Sequence, residues 1–198
     1  MIIIGEKING SIPPVAKAIA EKDAEFIKHR AQIQADANAT YIDCCASVEE
    51  SIEVETLHWM IDLIQEVTDV PICIDSPSPH SCVAAIPFCK KPGLINSVSM
   101  EGDKIDVIFP VIADTKWECV ALLCDDKGIP NSVERRMEVF HNVMEKAKEY
   151  GIAPSRLHID PLVVTLSTDE EALTTFAECC RQIKAEYPDI PAYETYEE

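Results

Sequence analysis

The chain has 198 residues, of which 47% are hydrophobic, and this length is enough to bury one sizeable core. Its 35 acidic and 17 basic residues give a formal net charge of −18, which argues against binding to nucleic acid or to anionic membranes. The sequence has neither an apolar run of the roughly 20 residues that span a bilayer nor the features of a signal peptide. The nine cysteines form no C-x-x-C motif, so we expect them to be packed thiols in a cytoplasmic protein.

Six short apolar segments predict β-strands, and each ends in a polar residue that small or turn-forming residues follow. In chain order the segments are "MIIIGEKIN", "TYIDCCAS", "VPICIDSPS", "GLINSVS", "CVALLCDDKG" and "RLHIDPLV". Their polar terminators are Glu6 with Asn9, Asp43, Asp75, Asn96, Asp125 and Asp160. A single Asp-Pro pair is ordinary turn chemistry, but six strands with the same ending indicate a shared role.

Helical segments lie between these strands. Capping-box patterns predict helix starts at Ser47, Asn131 and Thr168, where a side-chain oxygen can accept from a free backbone amide. Apolar residues then recur at intervals of three and four, which predicts one buried stripe on each helix. After Thr168 the stripe consists of Leu173, Phe176, Cys180 and Ile183, and after Ser47 it consists of Leu57, Ile61 and Ile64. Less regular patterns predict helices near 13–38, 78–90 and 102–115.

Apolar strands that alternate with helices are typical of a parallel sheet covered by helices. From Asp43 to Asp160 the terminators are 32, 21, 29 and 35 residues apart, about one strand-helix unit each. We therefore predict an α/β fold of the (β/α) TIM-barrel type, with the active site at the C-terminal ends of the strands. A doubly wound sheet is the alternative. Because a full barrel has eight units, we expect an incomplete barrel domain over 1–190, lacking units 7 and 8, and a polar tail over 191–198.

The six segments, in this order and spacing, resemble the pterin-binding methyltransferases that pass a methyl group between methyltetrahydrofolate and a corrinoid protein. The resemblance covers nearly the whole chain and is strongest to the branch found in anaerobes, in acetogens and O-demethylation systems. It implies that Asp75, Asn96 and Asp160 bind the pterin ring. The residue types suit this role, since a carboxylate can accept from neighbouring ring N–H groups and an amide can both donate and accept.

The resemblance also implies a substrate, a cofactor and a partner. The substrate is tetrahydrofolate or methyltetrahydrofolate, and the cofactor is cobalamin, which a corrinoid protein carries, with no metal bound by this chain. The family's catalytic asparagine lies on a seventh strand, so no catalytic residue is assigned within these 198 residues. Further candidates for the pocket are Asn9, Asp43, Asp125, Glu6, Cys45 and Ser97. For Glu6 a structural contact, and for Cys45 a packed thiol, are the alternatives.

Three other functions remain open at this stage. The aspartates at the strand ends could hold Mg²⁺, as in a metal-dependent barrel lyase. A dihydropteroate synthase would use the same pterin chemistry, although its Asn-x-Thr motif is absent after Asn9. A pterin-binding or assembly module without turnover is the third, because uncovered strand edges favour association. For the same reason we expect a homo-oligomer.

Overall fold

The computed structural model describes residues 1–164, 167 and 170–191. In that part of the chain six strands alternate with seven α-helices. The strands are β1 (Ile4–Gly5), β2 (Tyr41–Cys45), β3 (Ile72–Asp75), β4 (Leu94–Met100), β5 (Glu118–Asp125) and β6 (Leu157–Asp160). The helices are α1 (Pro13–Glu21), α2 (Ala24–Asp36), α3 (Glu50–Val67), α4 (Pro79–Ala85), α5 (Lys104–Ile112), α6 (Val133–Glu149) and α7 (Ala172–Glu186). Short 3₁₀ helices follow α4 at Ile86–Phe88 and precede β6 at Pro154–Arg156.

The strands are hydrogen-bonded in chain order from β1 to β6. The pairs β1–β2, β2–β3, β3–β4 and β5–β6 are parallel. Parallel neighbours in chain order are the topology of a (β/α) barrel, whereas a doubly wound sheet reverses its order at a switch point. The predicted α/β, TIM-barrel-type fold with six units is therefore confirmed. The predicted polar tail lies outside the described residues beyond residue 191.

The chain divides into two compact units, residues 1–96 and 97–198. In the first unit α3 contacts β2. The predicted stripe of Leu57, Ile61 and Ile64 on α3 is fully buried, as is Ile42 on β2. Removal of these apolar surfaces from water is the main term that stabilises this unit. Among the described residues, no helix is both long enough and apolar enough to cross a membrane.

In the second unit α6 packs against β5 and α7. The stripe predicted for α7 is wrong at its first position, because Leu173 is 57% exposed. The buried face of α7 instead consists of Ala172, Thr175, Cys179 and Ile183. Three of these are small side chains, which allow close approach to neighbouring elements. The face of α7 predicted from hydrophobic spacing is therefore rotated by about one residue from the face that is buried.

Two predicted helix starts also require correction. α3 begins at Glu50 without a side-chain cap, because Ser47 adopts a left-handed φ of 47° and its Oγ donates to Asn9 Oδ1. The cap of α6 is Ser132, one residue after the prediction, and its Oγ accepts from Arg135 N. The third predicted cap, Thr168, lies outside the described residues. The segment 13–38 forms two helices, α1 and α2, rather than one.

Gly93 lies just before β4, where the chain passes close to β3. A Cβ at this position would lie 2.0 Å from the carbonyl oxygen of Ile72. Because that oxygen belongs to backbone in the neighbouring segment, we expect Gly93→Ala to lower the free energy of unfolding by about 2 kcal/mol or more. Urea unfolding would measure the change, with Lys91→Ala at a nearby exposed site as the control. Equal stability of the two variants would contradict this close approach.

Candidate functional site

In the first unit, polar side chains lie in register on neighbouring strands. Asp75, the last residue of β3, pairs with Cys45 on one side and with Asn96 on the other. Asp43 pairs with Cys73, two residues before Asp75. Partners in register, and residues two apart on a strand, point to the same face of a parallel sheet. Asp43, Cys45, Asp75 and Asn96 therefore share one face.

The sequence placed all of these polar residues at strand ends, and this is correct only in part. Asp75, Asp125 and Asp160 do end β3, β5 and β6. Asp43, however, is the third of five residues in β2, and Asn96 is the third of seven in β4. β2 continues past Asp43 because its ladder to β3 extends to the pair Cys45–Asp75, and β4 continues past Asn96 to Met100. Asp43 is consequently more deeply buried than a residue at the rim.

Asp43 is the most deeply buried carboxyl group of this unit, with 1% of its surface exposed. Its Oδ1 has no hydrogen-bond partner among the described residues. Burial raises the pKa of Asp43 to about 7, and repulsion from Asp75 adds to the shift, while hydrogen bonding from Cys73 and Asn96 opposes it. A buried carboxyl group that faces a second carboxylate tends to keep its proton near neutral pH.

Asp75 is half-buried, and burial also raises its pKa. The charges of Glu6 and Glu53 act in the same direction, whereas a hydrogen bond from the Cys45 thiol opposes the shift. Because Asp43 and Asp75 repel each other, their protons dissociate as those of a coupled pair. At neutral pH the pair therefore favours one proton and one negative charge. This leaves an acceptor for N–H groups without placing two charges in a buried site.

The loop after Asp75 is held by two residues that the sequence reasoning missed. Glu53 on α3 is 4% exposed and accepts a hydrogen bond from the Ser76 hydroxyl at 2.8 Å. The Ser76 Oγ in turn accepts from the backbone amide of Ser78 at 3.1 Å. Glu53 lay within the helix predicted after Ser47, and glutamate is a residue type that is mostly exposed. An acidic residue four positions before the buried Leu57 was the available signal.

The first strand-helix connection brings three candidate residues together. Asn9 forms a bridge to Cys45, and its Oδ1 accepts from the amide of Ser11 at 2.9 Å. The Cys45 thiol lies 3.3 Å from Ser47 Oγ, and burial raises the pKa of this thiol to about 12. Cys45 is thus a buried thiol that favours its protonated form, and its contact with a ligand stays a prediction. Glu6 is exposed and acts on Asp43 and Asp75 through its charge.

The second unit contains the other three candidates. Asp125 forms an ion pair with Arg135, and its Oδ1 accepts from the amide of Lys127, so this carboxylate stabilises the turn after β5. Ser97 is half-buried on β4. Asp160 is half-buried at the end of β6, and its Oδ1 accepts from the amide of Leu162 at 2.8 Å. Burial raises the pKa of Asp160, while that hydrogen bond and a nearby arginine charge oppose the shift.

The described residues contain no group of three or more His, Cys, Asp or Glu side chains placed to hold a metal ion. What the first unit does offer is a row of carboxyl and amide groups on one sheet face. Such groups suit the N–H donors and ring acceptors of a polar heterocycle.

A parallel α/β sheet with ionisable groups on its strand ends is the arrangement of barrel-type enzymes, which bind small molecules there. The sequence model described as "Pterin binding enzyme" matches residues 16–188. The chain therefore belongs to the family of pterin-binding enzymes, as the resemblance of its six segments implied.

Comparison with individual proteins supports the same family assignment. The chain is 52% identical over 192 residues to a methylcorrinoid:tetrahydrofolate methyltransferase of Eubacterium limosum, covering 96% of this chain and 71% of that enzyme. Dihydropteroate synthase of Xanthomonas albilineans in complex with 7,8-dihydropteroate has a similar fold, with a TM-score of 0.64 at 21% identity over 96% of this chain and 69% of that one. The Yersinia pestis enzyme gives a TM-score of 0.63 at 16% identity over 96% and 68%. At these identities the two synthases support the fold alone.

Proposed function

We propose that this chain acts in methyl transfer between N5 of methyltetrahydrofolate and a corrinoid protein, binding the pterin ring through Asp75, Asn96 and Asp160. The observation that carries the proposal is the 52% identity to a methylcorrinoid:tetrahydrofolate methyltransferase over nearly all of this chain. At 52% identity, a shared reaction class is the simplest explanation. Asp75, Asn96 and Asp160 also lie in the segments on which the family resemblance of the sequence rests.

The pterin ring has an aminopyrimidinone edge on which N–H donors lie next to each other. A carboxylate can accept two of these hydrogen bonds, and each charge-assisted bond contributes about 1.5–3 kcal/mol. Asp75 fits this role because its neighbour Asp43 tends to hold the proton of the pair. Asn96 lies next to Asp75 in register and can read a ring edge that both donates and accepts.

The partner supplies the metal chemistry: the cobalt of its corrinoid carries the methyl group. The role proposed for this chain is to bind and orient the folate so that N5 and its methyl group are presented to that partner. Among the alternatives, a pterin-binding module without turnover shares the same binding site and differs only in the transfer step. The homo-oligomer expected from the sequence stays a prediction, which light scattering would test.

Calorimetric titration with methyltetrahydrofolate is the direct test of binding. We expect saturable binding that EDTA does not change. Asn96→Ala should weaken this binding by about tenfold or more, because at least one buried hydrogen bond is lost. Asn131→Ala, at an exposed position just before α6, is the matched control and should bind like the parent chain. Absence of binding by the folded parent chain would contradict the proposal.

Transfer itself requires a second assay. The chain is mixed with tetrahydrofolate and a methylated corrinoid protein, and methyltetrahydrofolate is measured by chromatography while the cobalt spectrum is followed. Formation of methyltetrahydrofolate at a rate that depends on the chain would support the methyltransferase. Tight folate binding without any transfer, in either direction, would favour the pterin-binding module instead.

A further inference from the structure

Arg136 is an arginine in the interior of the second unit. It lies on α6 and is 1% exposed. Its Nε donates to the carbonyl oxygen of Pro130 at 2.9 Å, and its Nη1 donates to those of Pro161, at 2.8 Å, and Leu162. Among the described residues it has no ion pair with a carboxylate within 4.0 Å. Among the described residues only carbonyl groups accept from this buried cation, which is a costly arrangement and suggests a role beyond packing.

Two of the three carbonyl groups that Arg136 binds, those of Pro161 and Leu162, belong to the turn that follows Asp160. Leu162 in this turn has a φ of 64°, the left-handed region that residues with a side chain rarely adopt. Such a conformation persists only where surrounding contacts hold it. The amide of the same residue donates to Asp160 Oδ1 at 2.8 Å. The guanidinium, the turn and the carboxylate thus form one connected set of contacts.

The charge of Arg136 also acts on Asp160 directly. Burial raises the pKa of the Asp160 carboxyl group, and the hydrogen bond from Leu162 and the positive charge of Arg136 both oppose that shift. Among the described residues, the Cys180 thiol on α7 also interacts with Asp160, and its pKa is raised mainly by burial and in part by the Asp160 charge. Arg136 is therefore the one cation among the described residues that favours the ionised form of Asp160.

We propose that Arg136 is a positioning residue for the folate site: it holds the Pro161–Leu162 turn so that Asp160 presents an oriented, ionised carboxylate to the pterin ring. This inference rests on the proposed function, since it assumes that Asp160 contacts the ligand. The planar guanidinium suits the role because it reaches several carbonyl oxygens at once, which a lysine ammonium does less well.

A double-mutant cycle tests whether Arg136 acts through Asp160. Arg136→Lys keeps the charge and Arg136→Met removes it, and each is combined with Asp160→Asn, which keeps the shape of the side chain. We expect either Arg136 substitution to weaken methyltetrahydrofolate binding by about tenfold in the parent chain. In the Asp160→Asn background the same substitutions should change affinity by less than about twofold, because the residue they act through is already altered. Equal losses in both backgrounds would overturn the proposal.

A second measurement needs no ligand. Carboxyl ¹³C NMR of aspartate-labelled protein, with the Asp160 signal assigned by its absence in Asp160→Asn, follows the ionisation of Asp160 directly. The pKa of Asp160 should rise in Arg136→Met, since the opposing charge is gone, and should stay near the parent value in Arg136→Lys. An unchanged pKa in a folded Arg136→Met variant would also overturn the inference.

Two controls complete the design. Arg181→Met removes an arginine that lies largely exposed on α7, and it should affect neither affinity nor the Asp160 signal. If Arg136→Met does not fold, Arg136→Lys alone completes the cycle, because it retains the buried charge. If the folded parent chain binds no methyltetrahydrofolate, the proposed function fails, while the NMR titration still decides whether Arg136 controls Asp160.

Discussion

Asp75→Ala is expected to weaken binding of methyltetrahydrofolate by at least about 100-fold. The variant loses two charge-assisted hydrogen bonds to the ring, each contributing about 1.5–3 kcal/mol. Asp75 lies in register between Cys45 and Asn96, and the neighbouring carboxyl group of Asp43 lies two positions deeper in the sheet and is only 1% exposed, so it should not take the place of Asp75. Calorimetry at pH 7 would measure the loss.

The loss should not result from unfolding. Burial raises the pKa of Asp75, which means that the folded state disfavours its charge, and an alanine removes that cost. Asp75→Asn should also bind poorly, because its NH₂ group would meet a ring N–H donor. Asp114→Ala, an exposed carboxylate after α5, serves as the control. Binding within about threefold of the parent chain in a folded Asp75→Ala variant would exclude Asp75 from the site.

The second large effect concerns stability rather than binding. Asp43→Asn is expected to raise the free energy of unfolding at pH 8 by on the order of 2–4 kcal/mol. The folded pKa of Asp43 is about 7, above the value near 3.9 of an unfolded chain. Between these two values the folded state binds more protons than the unfolded state, so the stability of the parent falls as pH rises through this window.

Asparagine has the shape of the protonated carboxyl group and carries no charge. The variant should therefore match the parent near pH 4 and exceed it above pH 7, with a flatter stability profile between them. Urea unfolding at pH 4.5, 6 and 8 measures this, with Asp114→Asn as an exposed control that should follow the parent curve. Equal destabilisation of Asp43→Asn at all three pH values would contradict the inference that burial raises the pKa of Asp43.

Much of the fold followed from local sequence patterns. The apolar runs predicted six strands, and the intervals between their polar ends predicted one strand-helix unit per interval, as the structure confirms. The stripe of Leu57, Ile61 and Ile64 was also correct, because a helix with one strongly apolar face has only one way to bury it. The predicted face of α7 was wrong, because the large apolar Leu173 was assigned to the buried face, whereas the buried positions hold the smaller side chains of Ala172, Thr175 and Cys179.

For the candidate site, the residue types and the strand of each could be read from the sequence, because a carboxylate or amide within or after an apolar run stands out locally, but the position along the strand was wrong for Asp43 and Asn96. The burial and charge state of the candidate residues could not be read in this way. Asp43 and Asp75 are 32 residues apart in the chain, and only the register of β2 and β3 brings their carboxyl groups close enough to interact. Arg136 shares a buried helix face with Phe140 and Val143. The helical spacing of these three residues in the sequence was therefore a signal that Arg136 is buried.

The sequence by itself thus determined the six strands and the candidate residues that lie on them or just after them, since both depend on patterns within a few residues. Only the tertiary structure decided that burial raises the pKa of Asp43 to about 7, that Glu53 holds the loop after Asp75, and that Arg136 binds the turn after Asp160. These properties depend on desolvation and on the charges of residues far away in the chain. Folding brings these groups together and removes them from water, whereas local sequence shows at most that Glu53 and Arg136 lie on an apolar helix face.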